Sequence, residues 1–181
     1  MRHTPARYTD AKYDDVPADI RALFEKMRFS RRGIYLHGDV GTGKTHIAYT
    51  LADASQEKIR VRSEFWNVTE LLREIRMDFE RNVYDKTRTE EHLMGYQGLL
   101  FLDDVGSEKI TEWVAETFYL ILNKRYNDIL PTVITSNLPI AQLADRIGDR
   151  TVSRIVEMCD VVELVGTDRR ITNQSKIQVK V

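Results

Sequence analysis

Residues 38–45 read GDVGTGKT: a glycine, four residues, then Gly43, Lys44 and Thr45. That spacing suits a triphosphate. Gly38, Gly41 and Gly43 let the backbone curl so that successive amides point inward, and Asp39, Val40 and Thr42 supply the amides between them. A helix starting here and running through His46 adds the partial positive charge of its N-terminus. Lys44 is the side-chain cation for the β and γ phosphates, and Thr45 offers a hydroxyl to magnesium. The second chemical signature is LLFLDD, residues 99–104, in which four apolar residues deliver two acids. Asp103 is placed to hold magnesium through water, and Asp104 to orient and polarise an attacking water. Phosphoryl transfer needs such positioning and charge neutralisation more than covalent chemistry. The expected cofactors are therefore ATP and Mg2+.

Both signatures need strands to carry them to one edge of a sheet. Residues 33–36 form a short apolar run before the glycines, and Ile47, Ala48, Leu51 and Ala52 make a helical stripe after them. Residues 58–65 alternate Ile59 and Val61 with polar neighbours and read as a second strand. Asn67 with Glu70 predicts a capping box for a helix to about Arg81, with Leu71, Leu72, Ile75 and Phe79 inside. Residues 84–91 are polar and read as a loop. Residues 99–102 have the unbroken apolar pattern of a strand buried on both faces. A helix over 111–126 and a strand over 132–135 follow, then short helices over 140–147 and 152–158 and a strand over 161–164. Strands alternating with helices predict an α/β fold with parallel strands and right-handed crossovers.

At 181 residues the chain fits one domain. Lys and Arg number 27 against 28 Asp and Glu, so the net charge of −1 gives no general attraction to nucleic acid or membrane. Cys159 is the sole cysteine, which excludes a disulfide within the chain, and His3, His37, His46 and His92 lack zinc-ligand spacing. No stretch has the length and apolarity of a signal peptide or spanning helix. A soluble, cytoplasmic protein without membrane contact is expected.

Three further stretches narrow the reading: Thr135, Ser136 and Asn137 after the next strand; GDRTVSRI, residues 148–155; and GTDRR, residues 166–170. Together with FLDDVGSEKITEWV they resemble the AAA+ ATPase domain of bacterial and phage helicase loaders of the DnaC and DnaI type, and the related IstB-like transposition ATPases. The resemblance implies an AAA+ P-loop NTPase fold, a five-stranded parallel sheet flanked by helices with little or no separate lid. It implies an N-terminal segment over 1–20 that packs on the adenine site, before an ATPase domain over 21–181. It casts Asn137 as the sensor 1 residue on the γ phosphate or lytic water. Arg154, or else Arg150 one turn earlier, is implied as an arginine finger completing a neighbouring subunit's site, and hence self-association. Arg169, or else Arg170, is implied as the sensor 2 arginine, and Tyr8 or Tyr13 as the ring against adenine. Loaders of this kind carry an N-terminal module that grips the helicase. Only a short segment precedes the ATPase core here, so that half is expected to be absent or supplied by another chain.

The implied partners are a replicative helicase and single-stranded DNA. Arg73, Arg76, Arg81, Lys86 and Arg88 offer cations for a phosphate backbone, but Glu70, Glu74, Asp78 and Glu80 lie among them. Charge alone favours a self-paired, solvated helix; the DNA expectation comes from the resemblance. The rival readings are a nucleotide-gated adaptor for transposition and a small-molecule kinase, in which GDRTVSRI would imitate a lid.

Overall fold

The structure is a computed structural model and describes residues 5–80, 88–109, 111–166 and 178–180. Strands β1 (Gly33–Gly38), β2 (Ser63–Asn67), β3 (Leu99–Asp103), β4 (Thr132–Ser136), β5 (Cys159–Val165) and β6 (Gln178–Lys180) form one sheet in the order β2-β3-β4-β1-β5-β6. The first five are parallel. β6 runs antiparallel to β5 and adds a strand to the five expected.

Helices α1 (Ala18–Ser30) and α2 (Lys44–Lys58) cover one face, packing Ile20, Phe24, Ile47 and Leu51 on Ile34, Leu36, Phe101 and Val133. Helices α3 (Val68–Glu80), α4 (Thr89–Gly95), α5 (Glu112–Asn127), α6 (Ile140–Ile147) and α7 (Asp149–Met158) cover the other, against Tyr35, Leu100, Leu102 and Ile134. Consecutive strand residues thus alternate between two cores, which is why β3 and β4 are buried throughout. Among the described residues no helix follows β5.

Four expectations shift. The second strand begins at Ser63, not at 58, because α2 continues through Lys58 and ends where Arg60 turns left-handed at φ 59. The alternation of Ile59 and Val61 belongs to that turn; the amides of Ile59 and Val61 both reach the Ser55 carbonyl. Thr89 starts a helix inside the stretch read as loop; residues 84–87 of that stretch, and Arg81 and Lys86, lie outside the described residues. The core begins before residue 21, since Val16 and Ile20 are buried with α1. The sequence reading assigned no element to 18–30, where the apolar residues Ile20, Phe24 and Met27 recur at helical spacing.

One buried cation holds three of these elements together. Arg125 on α5 is 0% exposed. Its Nε donates to Thr132 Oγ1 at 2.9 Å, and its terminal nitrogens donate to the carbonyls of Leu93, Tyr96, Gly98 and Pro131 at 2.8 to 3.2 Å. All five donors of the guanidinium are used, and burial pulls its pKa down to about 10. The sites it ties are the end of α4, the link into β3 and the start of β4. Arg125→Met keeps an aliphatic stem and leaves these acceptors without a donor. The expected loss is about 3 kcal/mol in urea unfolding, with Arg125→Lys recovering only part because three donors cannot reach five acceptors.

Candidate nucleotide site

β1, β3 and β4 all end at the carboxyl edge of the sheet, the edge where open α/β folds bind ligands. From Gly38 the chain loops over that edge and re-enters α2 at Lys44. Gly38 has φ 148, and a Cβ there would lie 2.2 Å from the Leu164 carbonyl oxygen on β5. Gly41 and Gly43 have φ 85 and 99, in the region that side chains resist. Thr42 closes the loop on itself, its hydroxyl donating to the Asp39 carbonyl at 2.9 Å. Lys44 is only 6% exposed, and its Nζ donates to the carbonyls of Gly38 and Asp39 at 2.8 Å each. The ammonium is thus held inside the loop at its own mouth.

The two acids stand opposite. Asp103 is 4% exposed at the end of β3 and accepts from Thr45 Oγ1 at 3.0 and 3.2 Å and from Thr135 Oγ1 at 2.6 Å. Burial pushes its pKa up, while those hydroxyls and Asn67 pull the other way. Asp104 departs from the strand with φ 65, its amide donating to Thr135 Oγ1 at 2.9 Å. Its Oδ1 accepts from Asn137 Nδ2 at 2.9 Å. The structure therefore brings Lys44, Thr45, Asp103, Asp104 and Asn137 into one site. The oxygen donors of Thr45 and Asp103, in direct contact, are of the kind magnesium takes.

Between loop and acids lies a cavity of about 600 Å³, lined by Val40, Gly41, Gly43, Lys44, Thr45 and His46 on one side and Asp104, Thr135 and Asn137 on the other. Arg7 and Tyr8 close its third side. Tyr8 stacks on Tyr49 with centroids 4.7 Å apart, meets His46 edge-on at 6.2 Å, and Tyr49 stacks in turn on Phe65 at 3.8 Å. Tyr13, the other candidate for the base, is not among the lining residues. Its hydroxyl donates to Glu25 Oε1 at 3.0 Å and its ring leans on Phe24, so it anchors α1; burial and Glu25 push its pKa up.

Arg154 lies on α7, away from this cavity. Its Nε donates to Asn123 Oδ1 at 3.2 Å, its guanidinium sits 4.5 Å over the Tyr126 ring, and Glu157 is 3.6 Å away. Arg150 is exposed, with no hydrogen bond or ion pair recorded among the described residues. Arg169 and Arg170 lie outside the described residues. Arg73 and Arg76 line a second cavity of about 420 Å³, between α3 and the loop after β3, with Glu80, Glu108 and Lys109. Arg76 also stacks 4.8 Å over Trp113. Glu108 is held high in pKa by burial. The sequence reading missed Arg7 and Tyr49; the one available signal was their nearness in sequence to Tyr8 and to the phosphate loop.

Among curated proteins, the replicative helicase loader DnaI of Bacillus subtilis (strain 168) is 29% identical over 153 residues, covering 77% of this chain and 48% of its own length. The phage-like element PBSX protein XkdC of the same organism is 29% identical over 144 residues, covering 76% of this chain and 52% of its own. The chain thus spans about half the length of the curated relatives it matches. Among solved structures, the DnaC helicase loader superposes with a TM-score of 0.76 at 27% identity, covering 86% of this chain and 97% of that one. A replication initiator DnaA bound to AMPPCP and single-stranded DNA gives 0.67 at 22% identity over 80% of this chain and 43% of that one, a likeness of fold alone. Residues 19–177 match the IstB-like ATP binding protein family, and with the phosphate loop and paired acids inside that span, the chain belongs to this family and has the AAA+ fold of the helicase loaders.

Proposed function

We propose that this protein hydrolyses ATP with magnesium in an assembly of its own subunits, and that it helps load a replicative helicase onto single-stranded DNA in the cytoplasm. The observation that carries the hydrolytic part is Asp104 paired with Asn137 across the cavity from Lys44. An amide and a carboxylate side by side can hold one water between them and take its proton, which favours water over a second substrate as acceptor and weighs against a kinase. Lys44 leaves two carbonyls for the β and γ phosphates, a trade of neutral acceptors for charged ones. Thr45 and Asp103 hold the magnesium, which when bound neutralises phosphate charge. Tyr8, already backed by Tyr49, offers its other face to the base, with Arg7 beside it.

Arg154 is the finger in this reading and must give up Asn123 and the Tyr126 ring to reach a neighbour. Its contacts are half exposed and replaceable. The loading task rests on the DnaI and DnaC likenesses. The IstB-like family description keeps a transposition adaptor as the alternative.

Lys44→Ala is expected to weaken ATP binding by at least about tenfold in calorimetry, whereas Asp104→Asn binds within about twofold of the parent and loses hydrolysis by about a hundredfold. Unchanged affinity in the first variant would remove the phosphate-loop role; unchanged turnover in the second would make Asp104 structural.

Arg154→Ala should bind ATP and fail to hydrolyse it, and mixing it with Lys44→Ala protein should restore part of the activity, since each variant supplies the half-site the other lacks. A parent whose specific activity is independent of protein concentration in a monomer would exclude the finger.

The loading role is tested by fluorescence anisotropy of a labelled single-stranded oligonucleotide at two salt concentrations with a non-hydrolysable ATP analogue, ADP or neither. Assembly would align several weak phosphate contacts, so affinity should be highest with the analogue and fall steeply with salt. Binding absent in all three states moves the weight to the adaptor.

A further inference from the structure

Thr135 hydrogen-bonds to both acids. It is 1% exposed on β4, in register with Leu36 of the strand that leads into the phosphate loop. Its hydroxyl accepts the Asp104 amide at 2.9 Å and donates to Asp103 Oδ1 at 2.6 Å. Because the amide can only donate, the single hydroxyl hydrogen is left for the carboxylate. A β-branched side chain is stiff about χ1, so this hydroxyl is held rather than free to turn away.

The geometry matters because consecutive residues of a strand point to opposite faces. Asp103 and Asp104 would therefore diverge. They converge on one site because Asp104 takes a left-handed backbone at φ 65, a region few residues other than glycine enter. Thr135 holds that turn twice: its hydroxyl takes the Asp104 amide, and its carbonyl takes the next amide, Val105, at 2.9 Å. The second bond belongs to the main chain and survives any substitution. The first does not.

We propose that Thr135 is a positioning residue for both acids: one hydroxyl aims the metal-holding carboxylate of Asp103 and fixes the backbone turn that aims Asp104 at Asn137. This rests on the ATPase reading. Both oxygens of Asp103 also accept from Thr45, whose hydroxyl is the group magnesium would claim, which leaves Thr135 and Asn67 to orient the carboxylate.

The test compares Thr135→Val, nearly the same shape without the hydroxyl, with Thr135→Ser, which keeps it. ADP affinity without magnesium should be within about twofold of the parent in both, since the phosphate loop is untouched. In Thr135→Val the magnesium concentration that half-maximally tightens nucleotide binding should rise about tenfold and kcat should fall about tenfold or more at saturating ATP and magnesium, with Thr135→Ser recovering most of both. A Val variant with the parent's magnesium response and kcat, or a Ser variant no better than Val, overturns the proposal. A parent that binds nucleotide without turning it over removes the hydrolysis reading, and the magnesium comparison, which needs no turnover, still decides the role of Thr135.

Discussion

Two carboxylates on consecutive residues, one of them almost wholly buried, repel each other and resist dehydration, and the carboxyl edge of the sheet is organised around that constraint. Asp103 is surrounded by hydroxyl donors from α2 and β4, and Asp104 is turned out of the strand to meet Asn137. The strands that supply these partners are neighbours in the sheet, with β4 between β3 and β1. An order that separated β4 from either would leave Asp103 short of donors and Asp104 without its amide acceptor.

The same economy runs through the phosphate loop. Lys44 rests on two carbonyls of its own loop, so the cation is held in place and keeps little side-chain freedom. Gly38 lets that loop pass so close to β5 that no side chain fits, which fixes the loop to the sheet rather than to solvent. At the opposite edge Arg125 does for the framework what these groups do for the site. It satisfies carbonyls of the connections entering β3 and β4, and so sets where both strands begin and, at five residues each, where they end.

The α5–α7 contact has a different character. Arg154 bridges Asn123, Tyr126 and Glu157 with side chains that remain partly in water. Such contacts are weak and readily exchanged, whereas the bonds around Asp103 cannot be exchanged without exposing a buried acid. The surroundings of Asp103 are fixed by burial, and those of Arg154 are not.

Much of this was legible in the sequence because it is local. Six contiguous loop residues and a lysine carry the phosphate-loop pattern by themselves, and an apolar run ending in two acids states its own strand and edge; these need no distant partner to be recognised. The helices with strong stripes, such as Val114, Phe118, Ile121 and Leu122 on α5, were equally readable. What the sequence left open was whatever depends on chain reversal or on remote neighbours. The extent of α2 turned on a left-handed Arg60, and which of Tyr8 and Tyr13 lines the cavity turned on which ring the fold lays beside His46 and Tyr49. The bonds of Thr135 to Asp103 and Asp104 span 32 and 31 residues, and no spacing or period along the chain encodes a contact made only when β4 is inserted beside β3.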